Sequence, residues 1–317
     1  MRTFLYGLMA LMAAGLSAAR SETLSDAMRE TLEQRFSGAR IREVEQETWR
    51  NQRVTEVDVE SADGTCYELI FSEAGELLYV EEDREGLPWI GGELSIGLAA
   101  RAEREIYKGV GTELEPTPFF LYENGPLEIL SYDDFGVLLK LYRGDMFSVG
   151  AGGTLKFGEG YDPGDSPDLE GMDGLHTLYS VDIEFELERG PWEIGLEVSQ
   201  DVSGENDGQE IELVIGYEMA VAGFSLRPEL SLTWLSADTV DYFYGVAPHE
   251  AREGRPVYKP GSDFELEAGL RVLRPIGGGF TLVGLAGVST FGREIRDSPL
   301  VDADVALEGT LGVMYTF

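Results

Sequence analysis

The sequence predicts an all-β fold, an antiparallel transmembrane β-barrel of about 12 strands, behind a small α+β domain. Three observations lead there. Residues 302–317 alternate along their length: Ala303, Val305, Leu307, Gly309, Leu311, Val313, Tyr315 and Phe317 share one face, and mostly polar or small residues occupy the other. Successive strand side chains point to opposite faces, so this strand has one apolar face along its whole length, as a lipid-facing stave does. Similar alternation recurs from Leu94 onward, and its connections switch between short turns and long loops. Finally, Gly (40), Tyr (14) and Phe (15) are abundant, and no later run of about 20 apolar residues could form a membrane helix.

Residues 1–19 read as an export signal: Arg2 is the positive start, Phe4–Leu16 the apolar stretch, and Ser17-Ala18-Ala19 a small-residue site cleaved between Ala19 and Arg20. The formal charge of -35, from 59 acidic and 24 basic residues, argues against nucleic-acid binding, which needs a basic face. The single cysteine, Cys66, excludes an internal disulfide, and its place in a strand-like run argues for packing over reactivity.

Residues 22–84 form a candidate separate domain. Leu24, Met28, Leu32 and Phe36 make a helical stripe, with Thr23 as a possible N-cap and Gly38 as the stop. Strand-like runs follow at Ile41–Trp49, Val54–Glu60, Cys66–Phe71 and Leu77–Val80, with Asp63-Gly64 and Ala74-Gly75 as turns. The helix-then-meander order and "YELIFSEAGELL" resemble a PepSY-type domain, which implies a periplasmic module that binds proteins or inhibits peptidases.

Residues 90–317 are assigned to the barrel. Its stripes run through Leu94–Ala100, Pro116–Glu123, Leu127–Tyr132, Phe135–Leu141, Phe147–Phe157, Tyr179–Leu187, Trp192–Val198, Ile211–Met219, Phe224–Trp234, Phe264–Val272, Phe280–Phe291 and the terminal strand. With the N-terminus periplasmic, the turns at 124–125, 143–145, 189–191, 221–223 and 275–279 fall inside and the loops at 158–174, 201–208, 236–263 and 292–301 fall outside. A tight Asp133-Asp134 bend is the exception among the outer connections. Aromatic residues at strand ends, among them Phe147, Trp192, Trp234 and Phe264, fit interfacial girdles.

The opposite faces carry an acidic set for the lumen: Glu184, Glu186, Glu193, Glu197, Glu212 and Glu267, with Lys140, Arg227 and Arg271 on the same side. Carboxylates facing lipid would be costly, so this set is placed inside. It reads either as an ion-paired polar filling or as a narrow cation-favouring interior. Leu311, Val313, Tyr315 and Phe317 read as the C-terminal signal for the barrel assembly machinery.

Catalysis is not expected. His176, Ser180, Asp165 and Asp173 lie near each other in sequence, but no nucleophile signature surrounds Ser180. Asp162, Asp165, Asp168 and Asp173 lack EF-type spacing, and Asp165-Ser166-Pro167 and Asp297-Ser298-Pro299 read as turn starts. No cofactor and no metal is expected.

Several segments in fixed order resemble the MipA/OmpV family: "IYKGVGTELEPTPFFLYENGP" from Ile106, "DSPDLEGMD" from Asp165, "DVSG" from Asp201, "YFYGVAPHEAREGRPVYKPGSDF" from Tyr242, "RDSPLV" from Arg296 and the terminal "GVMYTF". Tyr244 interrupts the family's Tyr-Phe-Gly-Val run. The resemblance implies a non-enzymatic protein of the cell outer membrane. Its expected partners are membrane lipid and, through the periplasmic side, a lytic murein transglycosylase and a murein synthase. A small-solute channel is the alternative.

Overall fold

A computed structural model describes residues 24–36, 38–49, 52–61, 66–83, 92–132, 134–144 and 146–317. The expected export signal, its Ala19–Arg20 cleavage site, Thr23 and the Asp63-Gly64 turn lie outside these residues. The chain divides into two compact units at Glu93–Leu94.

In the N-terminal unit, α1 (Asp26–Arg35) is capped by Ser25, whose side chain accepts from the Met28 N–H at 3.3 Å. The cap therefore falls on Ser25, nearer the helix than Thr23. An antiparallel meander follows, β1 (Arg40–Trp49), β2 (Gln52–Glu60), β3 (Cys66–Ser72) and β4 (Leu77–Asp83), in that spatial order. Met28 and Leu32 pack with Val57, Val59, Leu69 and Phe71, and Leu24 and Phe36 close the edges. The four-residue stripe is thus the helix face that covers the sheet.

The second unit is a closed antiparallel barrel. Its strands are β5 (Glu93–Arg104), β6 (Thr112–Asn124), β7 (Leu127–Ser131), β8 (Phe135–Arg143), β9 (Phe147–Lys156), β10 (Leu178–Arg189), β11 (Trp192–Asp201), β12 (Gln209–Tyr217), β13 (Met219–Val221), β14 (Phe224–Leu235), β15 (Asp263–Gly277), β16 (Phe280–Phe291) and β17 (Val305–Thr316). Both β12 and β13 pair with β14, so they are one stave interrupted at Glu218, and the barrel has 12 staves. β17 closes the ring against β5, with Leu311 opposite Ala100 and Val313 opposite Leu98. Closure leaves no edge open to lipid.

Alternation sorts the walls. Along β17, Leu311 is 69% exposed and Met314 is 2% exposed. Val313 is exposed on the same outer face as Leu311, and Tyr315 lies on that face against Phe280 at 4.8 Å between ring centroids. Beside the short turns, outward pairs such as Trp192–Tyr217 and Tyr142–Phe147 make an aromatic girdle.

Two features depart from simple alternation. The β7–β8 hairpin is short: its last pair is Ser131 with Phe135, while β6 continues upward from Phe120 to Thr112 without a β7 partner. The long connection after β14 is not all loop, because α2 (Ala237–Tyr244) occupies its start. A further turn, α3 (Arg293–Arg296), follows β16.

Candidate functional site

The acidic residues gather in the barrel interior. Glu184, Glu197, Glu212 and Glu267 are buried and Glu186 and Glu193 half-buried, while their chain neighbours Ile183, Leu196, Leu213 and Leu266 are exposed. Cations sit among them. Lys140 lies 2.7 Å from Glu184 and 3.2 Å from Glu186, and Lys156 donates to Glu210 at 3.0 Å. Arg227 and Arg271 are directly opposite across the β14–β15 ladder and almost wholly buried. Two like charges side by side are destabilising unless countered. Glu193 accepts from Arg227, Glu229 lies 3.3 Å from the Arg227 Nε, and Glu218 accepts from Arg271 at 3.3 Å. Ser199 adds a polar bridge, its hydroxyl lying within hydrogen-bond reach of both Asp182 (2.6 Å) and Glu197 (2.8 Å). The inner wall is therefore laced by short, charge-assisted contacts between staves two or three apart.

Over the long-loop end sits a cap with its own cores. Ile106, Val240 and Ile295 pack on Leu235, Phe291 and Ala306, which are the inward residues at three strand tops. The cap core therefore lies inside the barrel mouth. Tyr107, Tyr161, Leu169, Met172, Val246 and Leu300 form a second core from four connections. Tyr244 touches both cores and stacks on Tyr107 at 5.5 Å.

Polar contacts lock these loops together. The buried Arg255 donates to the carbonyls of Asp168 (2.8 Å), Glu170 (3.2 Å) and Glu250 (2.8 Å). Arg252 donates to Pro167 (2.6 Å), Asp168 (2.8 Å) and Glu170 (3.1 Å). The Glu250 carboxylate accepts from the Asp173 and Ala247 N–H groups at 2.8 and 2.7 Å. Ser166 and Ser298, the serines of the two Asp-Ser-Pro segments, each donate at 2.7 Å to another loop, to Lys108 O and Tyr244 O. They are cross-loop ties in addition to turn residues. Asp263 at the top of β15 accepts from the Ile295 N–H at 2.8 Å and holds α3.

Between cap and lumen lies a cavity of about 210 Å³. Strands supply Glu103, Glu197, Glu210, Glu212 and Glu265, and connections supply Glu105, Asp134 and Glu159, against one lining cation, Arg101. Tyr107, Phe157, Phe243, Tyr244 and Phe291 form apolar walls. Glu105, just past the end of β5, has its carboxyl pushed up to about 8 by burial and by the neighbouring Glu103. Burial likewise raises the Tyr107 and Tyr244 hydroxyls.

A matching sequence profile decides the family. The profile described as "MltA-interacting protein MipA" matches residues 96–317. The chain belongs to the MipA family. It is an outer-membrane barrel protein, as the family's curated relatives are. It is similar to the putative outer membrane protein YiaT of Escherichia coli O157:H7 (24% identity, 71% of this chain and 91% of that protein). It also resembles the outer membrane protein OmpV of Vibrio cholerae (25% identity, 57% and 68%) and the MltA-interacting protein of Escherichia coli K12 (22%, 71% and 91%). Among solved structures, the NanC porin aligns with a TM-score of 0.41 and 12% identity over 69% of this chain and 98% of that chain.

In this MipA-family chain most of the segments that carry the resemblance build the cap. "DSPDLEGMD" supplies the carbonyls that Arg252 and Arg255 gather, and "HEAREGRP" supplies those arginines. Tyr244 serves as a stacking residue in the cap core. The signal for α2 was present in Ser236, whose side chain accepts from the Thr239 N–H at 3.3 Å as an N-cap. The candidate catalytic residues do not assemble. The exposed His176 gives its backbone N–H to Tyr242, and Ser180 faces the lumen without a hydrogen bond to any described residue. Asp173 instead pairs with His249 at 2.7 Å. The four aspartates do not converge either: Asp162 and Asp165 tie their own turn, and Asp168 faces Lys108. Among the described residues, Asp173, His249 and Glu250 are the side chains close enough to share a metal ion.

Proposed function

We propose that the protein is a membrane-anchored scaffold: a non-enzymatic barrel that holds its N-terminal, PepSY-like unit in the periplasm for cell-envelope proteins. One observation supports this reading over an open pore, namely the cap whose core sits inside the barrel mouth above an ion-paired lumen. Porin-like flow needs an unobstructed polar path, and a packed apolar core in the mouth opposes one. The name of the relative "MltA-interacting protein" favours a lytic murein transglycosylase as one partner, with a murein synthase as the other. On this reading Leu311, Val313, Tyr315 and Phe317 are read by the barrel assembly machinery, and the lumen carboxylates Glu184, Glu186, Glu193, Glu197, Glu212 and Glu267 hold the barrel's shape. Crosslinking in cells, followed by mass spectrometry, tests the reading. It expects murein enzymes to be recovered with the full-length chain and lost when residues 22–84 are deleted. Recovery of no envelope protein would overturn it. A second reading, a narrow cation-favouring channel, draws on the acidic excess around the chamber and expects small cation-selective currents.

A further inference from the structure

His249, one of two histidines in the chain, stands where two cap connections meet. Its Nε2 lies 2.7 Å from Asp173 Oδ2, 76 residues away in sequence. The next residue, Glu250, is only 7% exposed, and its side chain is already immobilised. One carboxylate oxygen accepts from the Asp173 N–H at 2.8 Å and the other from the Ala247 N–H at 2.7 Å. A carboxylate oxygen has two lone pairs, so each keeps one for a further partner. The backbones are tied as well: Glu250 O accepts from Arg255 at 2.8 Å, and Asp173 O accepts from the Tyr161 hydroxyl at 3.4 Å. One imidazole nitrogen and one oxygen from each carboxylate all lie within 4.8 Å of one another.

From this geometry we infer that Asp173, His249 and Glu250 bind a first-row transition-metal dication such as zinc, which clasps the two connections together. An imidazole with two carboxylates is a donor set these metals take, and the two negative charges offset the dication. Metal–ligand bonds of about 2.0–2.2 Å set neighbouring ligand atoms roughly 3 Å apart, so the His249–Asp173 contact needs only a small opening. Both side chains are exposed and can open without disturbing a packed core. The imidazole then gives its Nε2 lone pair to the metal and carries its proton on Nδ1. Glu250 is the fixed member, held by backbone N–H groups in the way outer contacts orient metal-bound carboxylates. Three protein ligands leave the fourth position of a tetrahedron to water. Calcium fits this set poorly, because it takes about six to eight oxygens and no nitrogen. The inference goes beyond the scaffold reading and does not depend on it, since no periplasmic partner enters the argument.

The test is titration of untagged full-length protein, stripped with a chelator in detergent, with zinc chloride in competition with a chromogenic zinc indicator. Heat-modifiable gel migration confirms a folded barrel in every sample. One saturable equivalent is expected. Loss of an outer contact to a metal ligand already costs about tenfold in affinity, so His249→Ala and Asp173→Asn, both at exposed positions, should each weaken binding by at least that much. Zinc should also slow hydrogen exchange in peptides from 158–177 and 245–262 of the wild type and leave those of His249→Ala unchanged, as a ligand of the closed form does. Three outcomes would overturn the inference: no saturable binding by folded wild-type protein, equal binding by the His249→Ala variant, or full displacement of zinc by an equal concentration of calcium chloride. The second would mean adventitious zinc on surface carboxylates only, and the third a pool of negative charge with no fitted site.

Discussion

The two cap arginines back each other up, and that redundancy can be measured. Arg252 and Arg255 both donate to the carbonyls of Asp168 and Glu170, whereas Glu250 O is held by Arg255 and Pro167 O by Arg252. Replacing either by Met keeps an apolar stem and leaves each shared carbonyl one guanidinium donor. Bonds to charged groups contribute about 1.5–3 kcal/mol each, but Arg252 is exposed and water replaces part of its share. Each single variant should therefore cost the cap about 1–2 kcal/mol. The double variant strips both shared carbonyls; a buried unsatisfied acceptor costs about 1–3 kcal/mol, and because Glu170 is exposed and Asp168 half-buried, water brings the cost to the low end. The double loss should exceed the sum of the singles by about 1 kcal/mol, above the deviation of about 0.5 kcal/mol expected of independent sites. Hydrogen exchange with mass spectrometry, following peptides from 158–177 and 245–262, reads this as opening free energy while strand peptides stay protected. Additive losses, or equal loss of protection in the strands, would refute the shared-acceptor argument.

Other predictions concern separate parts of the chain. Gly312→Ala places a Cβ about 2.7 Å from the Ala99 Cβ and 2.8 Å from Leu98 O in the closing seam, so it should cost about 1–3 kcal/mol and reduce the folded band on unheated gels. Phe71→Ala empties a fully buried position in the N-terminal core and should cost that unit about 3–5 kcal/mol with the barrel band unchanged. Deleting Phe317 should lower outer-membrane yield without reducing export, as fractionation would show. Glu105 has a folded-state value raised to about 8, with Glu103, Arg101, Glu113 and Asp165 around it. The folded cap therefore holds a proton that the unfolded chain releases, and cap stability falls as pH rises from the ordinary carboxylate range toward 8. Glu105→Gln should flatten that dependence in pH-resolved proteolysis of the cap.

Much of the wall was legible in sequence because a strand repeats every two residues and lipid enforces an apolar outer face. Val313 and Leu311 could thus be placed outward from alternation alone. The same rule put Arg227 and Arg271 inside, though it could not show that they meet side by side, which depends on strand register. The bulge between Lys140 and Tyr142 was invisible for a related reason, since local pattern does not count residues across a ladder. The cap was the least legible part. Contacts such as Arg255 to Asp168 join residues far apart in sequence through backbone carbonyls, which every residue possesses and no pattern marks. Tyr244 illustrates the point, since its stacking on Tyr107 joins residues far apart in sequence.

On the proposed reading, a locked cap and an ion-paired lumen make this barrel an anchor for its N-terminal unit and not an open pore. Planar-bilayer recording from purified, heat-modifiable full-length protein tests it most directly. The account predicts a quiet membrane for the wild type, with currents emerging when Arg252 and Arg255 are both replaced. Stable, ohmic, porin-sized steps from the wild-type protein would contradict it.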